Sequence, residues 1–167
     1  MGSSGKALFL DRDGTLIEPV PYLHEPARVR LVAGAAGALQ GAREAGYDLF
    51  LFTNQSGVGR GYFTLEAVTA CNRRMEDLLG MGPGVFRETC IAPEAPWEEV
   101  RYRKPSPRYI EEMVKRYRLE KRRCRMIGDS GVDMEAAANA GIGGLLVDGG
   151  LPFPEAVEQA IRETGKS

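Results

Sequence analysis

The chain is poor in the residues that do much of protein chemistry: it has one histidine, His24, and three cysteines, Cys71, Cys90 and Cys124, with no CxxC pair. That excludes a disulfide scaffold, makes a reducing compartment the default and leaves a Cys/His zinc site without ligands. It also leaves no Ser-His or Cys-His triad to build. Charge of one sign is missing too, with 22 Lys and Arg against 23 Asp and Glu and a net charge of -1, so no overall basic field draws in nucleic acid or a membrane surface. No long apolar segment follows Met1-Gly2-Ser3-Ser4-Gly5, so neither secretion nor membrane spanning is indicated, and the cytoplasm is the expected location. Residues 1–5 read as a flexible start or a tag remnant. The 167 residues suit one well-buried α/β domain, over residues 6–165, and are too few for two ordinary ones.

What is present is organised around Lys6 to Ile17, KALFLDRDGTLI. Ala7 to Leu10 is short enough for a buried strand, and it runs straight into two carboxylates, Asp11 and Asp13. Ionised groups leaving a buried strand need a cation or hydrogen bonds, and the carboxyl ends of strands in an open α/β sheet are where ligands bind. A solvated turn is the plainer alternative, since Asp and Gly are ordinary turn residues.

The rest of the chain weighs against that alternative. Glu18 to Arg30 is Pro-rich and unperiodic and reads as a loop walling the strand end. A small-residue helix over Gly34 to Ala45 leads to a strand, Tyr47 to Phe52, which enters the glycine-rich Thr53-Asn54-Gln55-Ser56-Gly57-Val58-Gly59-Arg60-Gly61. Thr64 caps a helix to about Gly80, with Leu65, Val68, Cys71 or Asn72, Met75 and Leu79 as its packed face. A third strand is expected over Val85 to Ile91 and a second loop over Ala92 to Arg103, held by Trp97, prolines and local hydrogen bonds and mobile without substrate. Lys104 stands just before a helix capped by Ser106 with Pro107 first, whose buried stripe is Ile110, Met113, Val114 and Tyr117. The basic run Arg116 to Arg125 reads as a solvated helix end. Cys124 to Gly128 forms a fourth strand ending in Asp129 and Asp133, and a strand over Gly144 to Val147 and a helix over Phe153 to Thr164 complete the chain. This alternation predicts an α/β fold: a three-layer, Rossmann-like parallel sheet with helices on both faces and no separate cap domain.

In such a sheet Asp11 and Asp13, Thr53 and Asn54, and Asp129 and Asp133 share one edge, with Lys104 beside them. Carboxylates from two strands suit Mg²⁺, a hard cation that prefers oxygen, while Thr53, the amides near Asn54 and Lys104 suit phosphoryl oxygens. One carboxylate can attack phosphorus to give an aspartyl-phosphate, and a second can protonate the departing oxygen and then activate water.

DRDGT at Asp11 to Thr15, Thr53-Asn54, Lys104-Pro105 and GDSGVD at Gly128 to Asp133 resemble, in order and over most of the chain, the four motifs of the haloacid dehalogenase superfamily. The resemblance implies Asp11 as nucleophile, Asp13 as general acid and base, and Thr53 and Lys104 as phosphoryl stabilisers. It implies Mg²⁺ on Asp11, Asp129 and the Asp13 carbonyl, with Asp133 behind them holding Lys104 or a metal-bound water. TNQSGVGRGYF at Thr53 to Phe63 and YLHEP at Tyr22 to Pro26 are similar to the histidinol-phosphatase and D-glycero-D-manno-heptose-1,7-bisphosphate 7-phosphatase branch, the heptose enzymes more so. Asn54, Gln55, Ser56 and Arg60, with Arg103, are the candidate substrate contacts. Members of that branch usually carry a zinc loop, whereas Val100 and Tyr102 occupy its later cysteine positions here, so no zinc is expected.

The reading is a Mg²⁺-dependent phosphomonoesterase acting on a small phosphorylated metabolite, of heptose bisphosphate or histidinol-phosphate type, as a monomer or small homo-oligomer. The loop TNQ-x-x-x-GRG and Tyr102-Arg103-Lys104-Pro105 also resemble polynucleotide 3'-phosphatases, and a non-catalytic phosphate-binding module would share the same scaffold. Three spare arginines, Arg12, Arg60 and Arg103, make a thin groove for a nucleic-acid end.

Overall fold

The computed structural model describes residues 4–148 and 150–165. Five parallel strands form one sheet in the order β3-β2-β1-β4-β5: β1 Ala7–Leu10, β2 Asp48–Asn54, β3 Glu88–Ala92, β4 Cys124–Gly128 and β5 Gly143–Leu146. The helices are α1 Ala35–Glu44, α2 Ser56–Gly59, α3 Leu65–Leu79, α4 Arg108–Arg116, α5 Gly131–Ala140 and α6 Phe153–Thr164. The period-2 alternation of the strands sorts their side chains into two cores. Leu8, Leu10, Leu49, Leu51, Ile127 and Leu145 face α1, α3 and α6, while Ala7, Phe9, Phe50, Phe52 and Met126 face α4 and α5. On the second face Phe9 stacks on Phe50 with centroids 4.9 Å apart, and Tyr109 of α4 meets Phe52 edge-on at 5.0 Å. Truncating either buried ring to alanine would cost about 3–5 kcal/mol.

The chain leaves β1 toward β2 on one side and later returns to β4 on the other, so the strand order reverses at β1, where an open parallel sheet has its crevice. The register carries β1 level with both neighbours, Leu10 opposite Leu51 and Ile127.

Several boundaries differ from the sequence reading. β2 runs to Asn54 rather than stopping at Phe52, because β3 supplies partners for Thr53 and Asn54 at Ile91 and Ala92. Tyr47 lies before the strand, with its hydroxyl 2.6 Å from Thr164 Oγ1. β3 begins at Glu88, and Val85 and Phe86 instead plug the first core. The glycine-rich loop contains the short helix α2. Leu65 is exposed, leaving Val68, Cys71, Asn72, Met75 and Leu79 as the buried face of α3. Pro107, not Ser106, is the N-cap of α4, although Ser106 Oγ does accept from the Arg108 amide at 3.3 Å. The buried side of α4 is Tyr109, Ile110 and Met113, with Val114 and Tyr117 partly buried. In the basic run, Arg116 pairs with Glu88, Arg122 and Arg123 share Glu120, and Arg125 pairs with Glu163, so four of its cations are engaged by three carboxylates within the fold. The flexible start expected at residues 1–5 falls mostly on 1–3, outside the described residues, while Gly5 is buried and its carbonyl accepts from the Glu120 amide at 2.9 Å. Among the described residues no helix is long and apolar enough to cross a membrane.

Candidate active site

Asp11 extends β1 by one residue, its amide donating to Ile127 O at 3.0 Å, which carries its carboxylate into the crevice between β1 and β4. One oxygen accepts from Lys104 Nζ at 2.9 Å and the other from Thr15 Oγ1 at 3.3 Å. Lys104 is itself buried, and its ammonium also donates to Asp133 Oδ1 at 2.6 Å and Phe52 O at 2.9 Å. All three of its protons are therefore used, which a buried ammonium requires. Its pKa is raised: burial opposes the charge, but the carboxylates of Asp11 and Asp133 outweigh burial. Burial pushes Asp11 up to about 8 against the pull of Lys104, with Asp133 adding to the rise.

Asp133 sits in the first turn of α5, where its second oxygen accepts from Ser130 N at 3.1 Å and Ser130 Oγ at 3.0 Å. Two glycines make room for these acids. A Cβ on Gly14, at φ +79°, would lie 2.0 Å from Asp129 Oδ2, and one on Gly128 would lie 2.2 Å from Asp133 Oδ2. Both clashes would be with carboxylates, so glycine at 14 and 128 lets backbone and acid approach closely.

Asp13 is held by Arg12 and Gln55. Arg12, fully buried, holds its two oxygens at 3.2 Å each and reaches Asn72 Oδ1 of α3 at 3.0 Å. Gln55 Nε2 donates both to Asp13 and to Thr53 Oγ1, each at 2.8 Å. Thr53 Oγ1 accepts that bond, leaving its own proton to donate.

Of the residues expected to meet substrate, Asn54 and Gln55 are committed to the protein. Asn54 takes the Lys104 amide on Oδ1 at 2.9 Å and gives Nδ2 to the Lys104 carbonyl at 3.2 Å, so it fixes the lysine's backbone. Ser56 Oγ accepts from Arg60 Nε at 3.3 Å, and the Arg60 guanidinium lies 5.3 Å from the centre of the Trp97 ring. Arg103 gives Nη1 to Glu94 O at 3.1 Å. A cavity of about 210 Å³ opens beside Asp13, walled by Val20, Tyr22 and Leu23 on one side and by Ser56, Gly57 and Phe63 on the other. Its two walls are joined by rings: His24 stacks on Phe63 at 5.6 Å and Tyr22 meets Tyr62 edge-on at 4.9 Å.

Glu94 was not among the residues singled out in the sequence, and Arg12, expected as a spare cation for substrate, is instead fully buried and spent on Asp13 and Asn72. Arg12 had a signal, since a cation between two strand-end acids has a partner ready on either side. Asn72 had only a place on the buried face of α3. The loop expected to rest on Trp97 and prolines rests instead on Glu94, while Trp97 is 70% exposed. Cys90 is buried in β3 and packs into the second core.

Asp11, Asp129 and Asp133 each bring an oxygen to within 4.8 Å of the others. With all of them ionised and Asp13 counted in, four carboxylates stand against two cations, Arg12 and Lys104, and the two uncompensated charges match one divalent ion. All-oxygen donors suit magnesium, so the residues fit that ion.

Residues 101–165 match the family model described as HAD-hydrolase-like. The chain is 38% identical over 157 residues to a D-glycero-beta-D-manno-heptose-1,7-bisphosphate 7-phosphatase of Mesorhizobium japonicum, covering 86% of this chain and 70% of the relative. It is 37% identical over 150 residues to the enzyme of the same name from Rhodopseudomonas palustris, covering 86% and 83%. Among solved structures it is similar to D,D-heptose 1,7-bisphosphate phosphatase from B. bronchiseptica complexed with magnesium and phosphate, at TM-score 0.84 and 28% identity over 95% of this chain and 99% of that one.

Proposed function

The chain belongs to the haloacid dehalogenase superfamily of phosphatases, and from that premise we propose that it hydrolyses a small phosphorylated sugar, a heptose bisphosphate first among candidates, through a covalent phosphate on Asp11. The observation that carries this reading is the buried ammonium of Lys104, which holds Asp11 and Asp133 together at the carboxyl ends of β1 and β4. The same sheet edge brings Thr53, whose hydroxyl keeps a proton to give, so the cluster offers a nucleophile and two donors together.

In this reading an Asp11 oxygen forms a bond to phosphorus while the phosphorus bond to the sugar oxygen breaks. Asp13 donates a proton to that departing oxygen, since an alkoxide leaves poorly without one. The Asp13 carboxylate then takes a proton from water as the water attacks phosphorus, releasing inorganic phosphate and restoring Asp11. Arg12 and Gln55 hold Asp13 in one orientation through both steps. Thr53 Oγ and Lys104 Nζ donate to the phosphoryl oxygens, which gather charge as the transfer proceeds. A magnesium ion on Asp11, Asp129 and the Asp13 carbonyl would draw charge from the phosphoryl group and ease the approach of an anionic nucleophile.

Residues 6–165 serve as one phosphatase domain, and with no separate cap among the described residues, the cavity beside Asp13 and the loops carrying Arg60 and Arg103 meet the rest of the substrate. The heptose bisphosphate names of the relatives support a sugar with a second phosphate. The test is phosphate release from D-glycero-D-manno-heptose 1,7-bisphosphate with magnesium, beside Asp11→Asn and a chelated control. Turnover confined to the unchelated wild type is expected, and activity in Asp11→Asn would overturn the reading.

A further inference from the structure

Glu94 is an acid in a loop of prolines and alanines, yet its side chain is turned inward and is only 6% exposed. A single oxygen, Oε2, accepts from three consecutive amides, Arg101 at 2.9 Å, Tyr102 at 3.1 Å and Arg103 at 3.0 Å. Burial pushes this carboxyl up, but the amides of Arg101, Arg103, Glu94 itself and Tyr102 outweigh it and leave the pKa below the ordinary glutamate value. The main chain around Glu94 is engaged as well: its carbonyl accepts from Arg103 Nη1 at 3.1 Å, and the neighbouring Pro93 carbonyl accepts from Gly59 N at 2.9 Å. Gly59 packs so closely there that a Cβ would lie 2.6 Å from Ala95 N. The Glu94 side chain thus ties its loop to the turn before Lys104, and the main chain beside it ties the same loop to the one that carries Ser56 and Arg60.

Lys104 and Arg103 depend on this knot to different degrees. Lys104 has anchors of its own in Asp11, Asp133, Phe52 O and Asn54. Arg103 has both its amide and its guanidinium on Glu94. We propose that Glu94 is a positioning residue that presents Arg103 to the part of the substrate remote from the transferred phosphate, and so sets affinity for doubly charged substrates with little effect on the chemical step. This rests on the sugar bisphosphate reading of the site.

The test compares wild type, Glu94→Gln, Arg103→Ala and the double variant on D-glycero-D-manno-heptose 1,7-bisphosphate and on p-nitrophenyl phosphate, with amide hydrogen exchange on each protein. Glu94→Gln keeps the shape and an acceptor oxygen but loses the charge. It should raise KM for the bisphosphate roughly three- to tenfold, the loss of about one net hydrogen bond, and leave kcat nearly unchanged. Kinetics on p-nitrophenyl phosphate should hardly move, and faster exchange should be confined to residues 101–103. In the Arg103→Ala background, Glu94→Gln should add nothing, because a residue acting through another has no effect once that other is gone. If Arg103→Ala raises KM for the bisphosphate and Glu94→Gln does not, the role of Glu94 is overturned while the substrate reading stands. An Arg103→Ala enzyme with wild-type constants on the bisphosphate overturns the role of Arg103, and with it that of Glu94, while the substrate reading stands; no turnover of the bisphosphate by wild type overturns both. A loss in Glu94→Gln that is equal on both substrates and persists in the double variant means that Glu94 supports the whole site, and contradicts the proposal. So does unchanged exchange at 101–103.

Discussion

Replacing Asp11 by asparagine should stop turnover and make the metal-free protein more stable. The carboxyl has a pKa of about 8 in the fold against 3.8 for the free group, with burial the largest cause. Between those values the folded state holds a proton that the unfolded state has lost, so the acid's contribution to stability falls as pH rises from about 4 to about 8. Each pKa unit is worth about 1.4 kcal/mol, which puts the ceiling for relief at about 6 kcal/mol. Part of that relief is lost, because the carboxylate gives one oxygen to Lys104 and the other to Thr15, and asparagine has a single acceptor oxygen. A net gain of about 3 kcal/mol remains once one buried donor has lost its acceptor. For a chain of this length each kcal/mol moves Tm by about 2–4 °C. The assay is thermal unfolding of wild type and Asp11→Asn in EDTA at pH 5 and pH 8. A gain larger at pH 8 than at pH 5 is expected. An Asp11→Asn protein that melts at or below wild type at pH 8 would refute the reasoning.

Gly14→Ala should fold less well and lose most activity, since the new methyl would meet the Asp129 carboxylate at a left-handed position; magnesium titration of activity should show a raised requirement. Purified protein analysed by elemental mass spectrometry should carry no stoichiometric zinc, and one zinc per chain would refute the reading of Val100 and Tyr102 as replacements for ligands. A 3'-phosphorylated oligonucleotide should be a poorer substrate than the heptose bisphosphate. Cleavage of the sugar should respond weakly to salt, because a polymer held by many phosphates loses affinity steeply and one held by one or two does not.

The catalytic edge was legible because strand ends announce themselves: Ala7 to Leu10, Phe50 to Phe52 and Met126 to Gly128 are apolar runs that stop at acids or at Thr53, and a parallel sheet puts such stops together. The fold followed from the same alternation. The surroundings were less legible for a physical reason. Asn54 and Gln55 look like free polar groups in a glycine-rich loop, and only tertiary contact shows that one is spent on Lys104 and the other on Asp13 and Thr53. Glu94 reads locally as a solvated acid; its role depends on amides seven to nine residues away, whose direction no pattern of residue types encodes. The short helix α2 is hidden by Gly57 and Gly59, which weaken any local helical signal.

The central claim is a covalent phosphate on Asp11, and the direct measurement is rapid acid quench of the enzyme turning over the bisphosphate with magnesium, followed by peptide mass spectrometry. Asp13→Asn should be run in parallel on p-nitrophenyl phosphate, whose leaving group departs without a proton, because there only the attack by water is slowed and the intermediate accumulates. The account predicts one phosphoryl group on the peptide carrying Asp11, more of it in Asp13→Asn, and none in Asp11→Asn. Steady release of phosphate with no phosphoryl group on that peptide in any sample, or with the group on another residue, would contradict it.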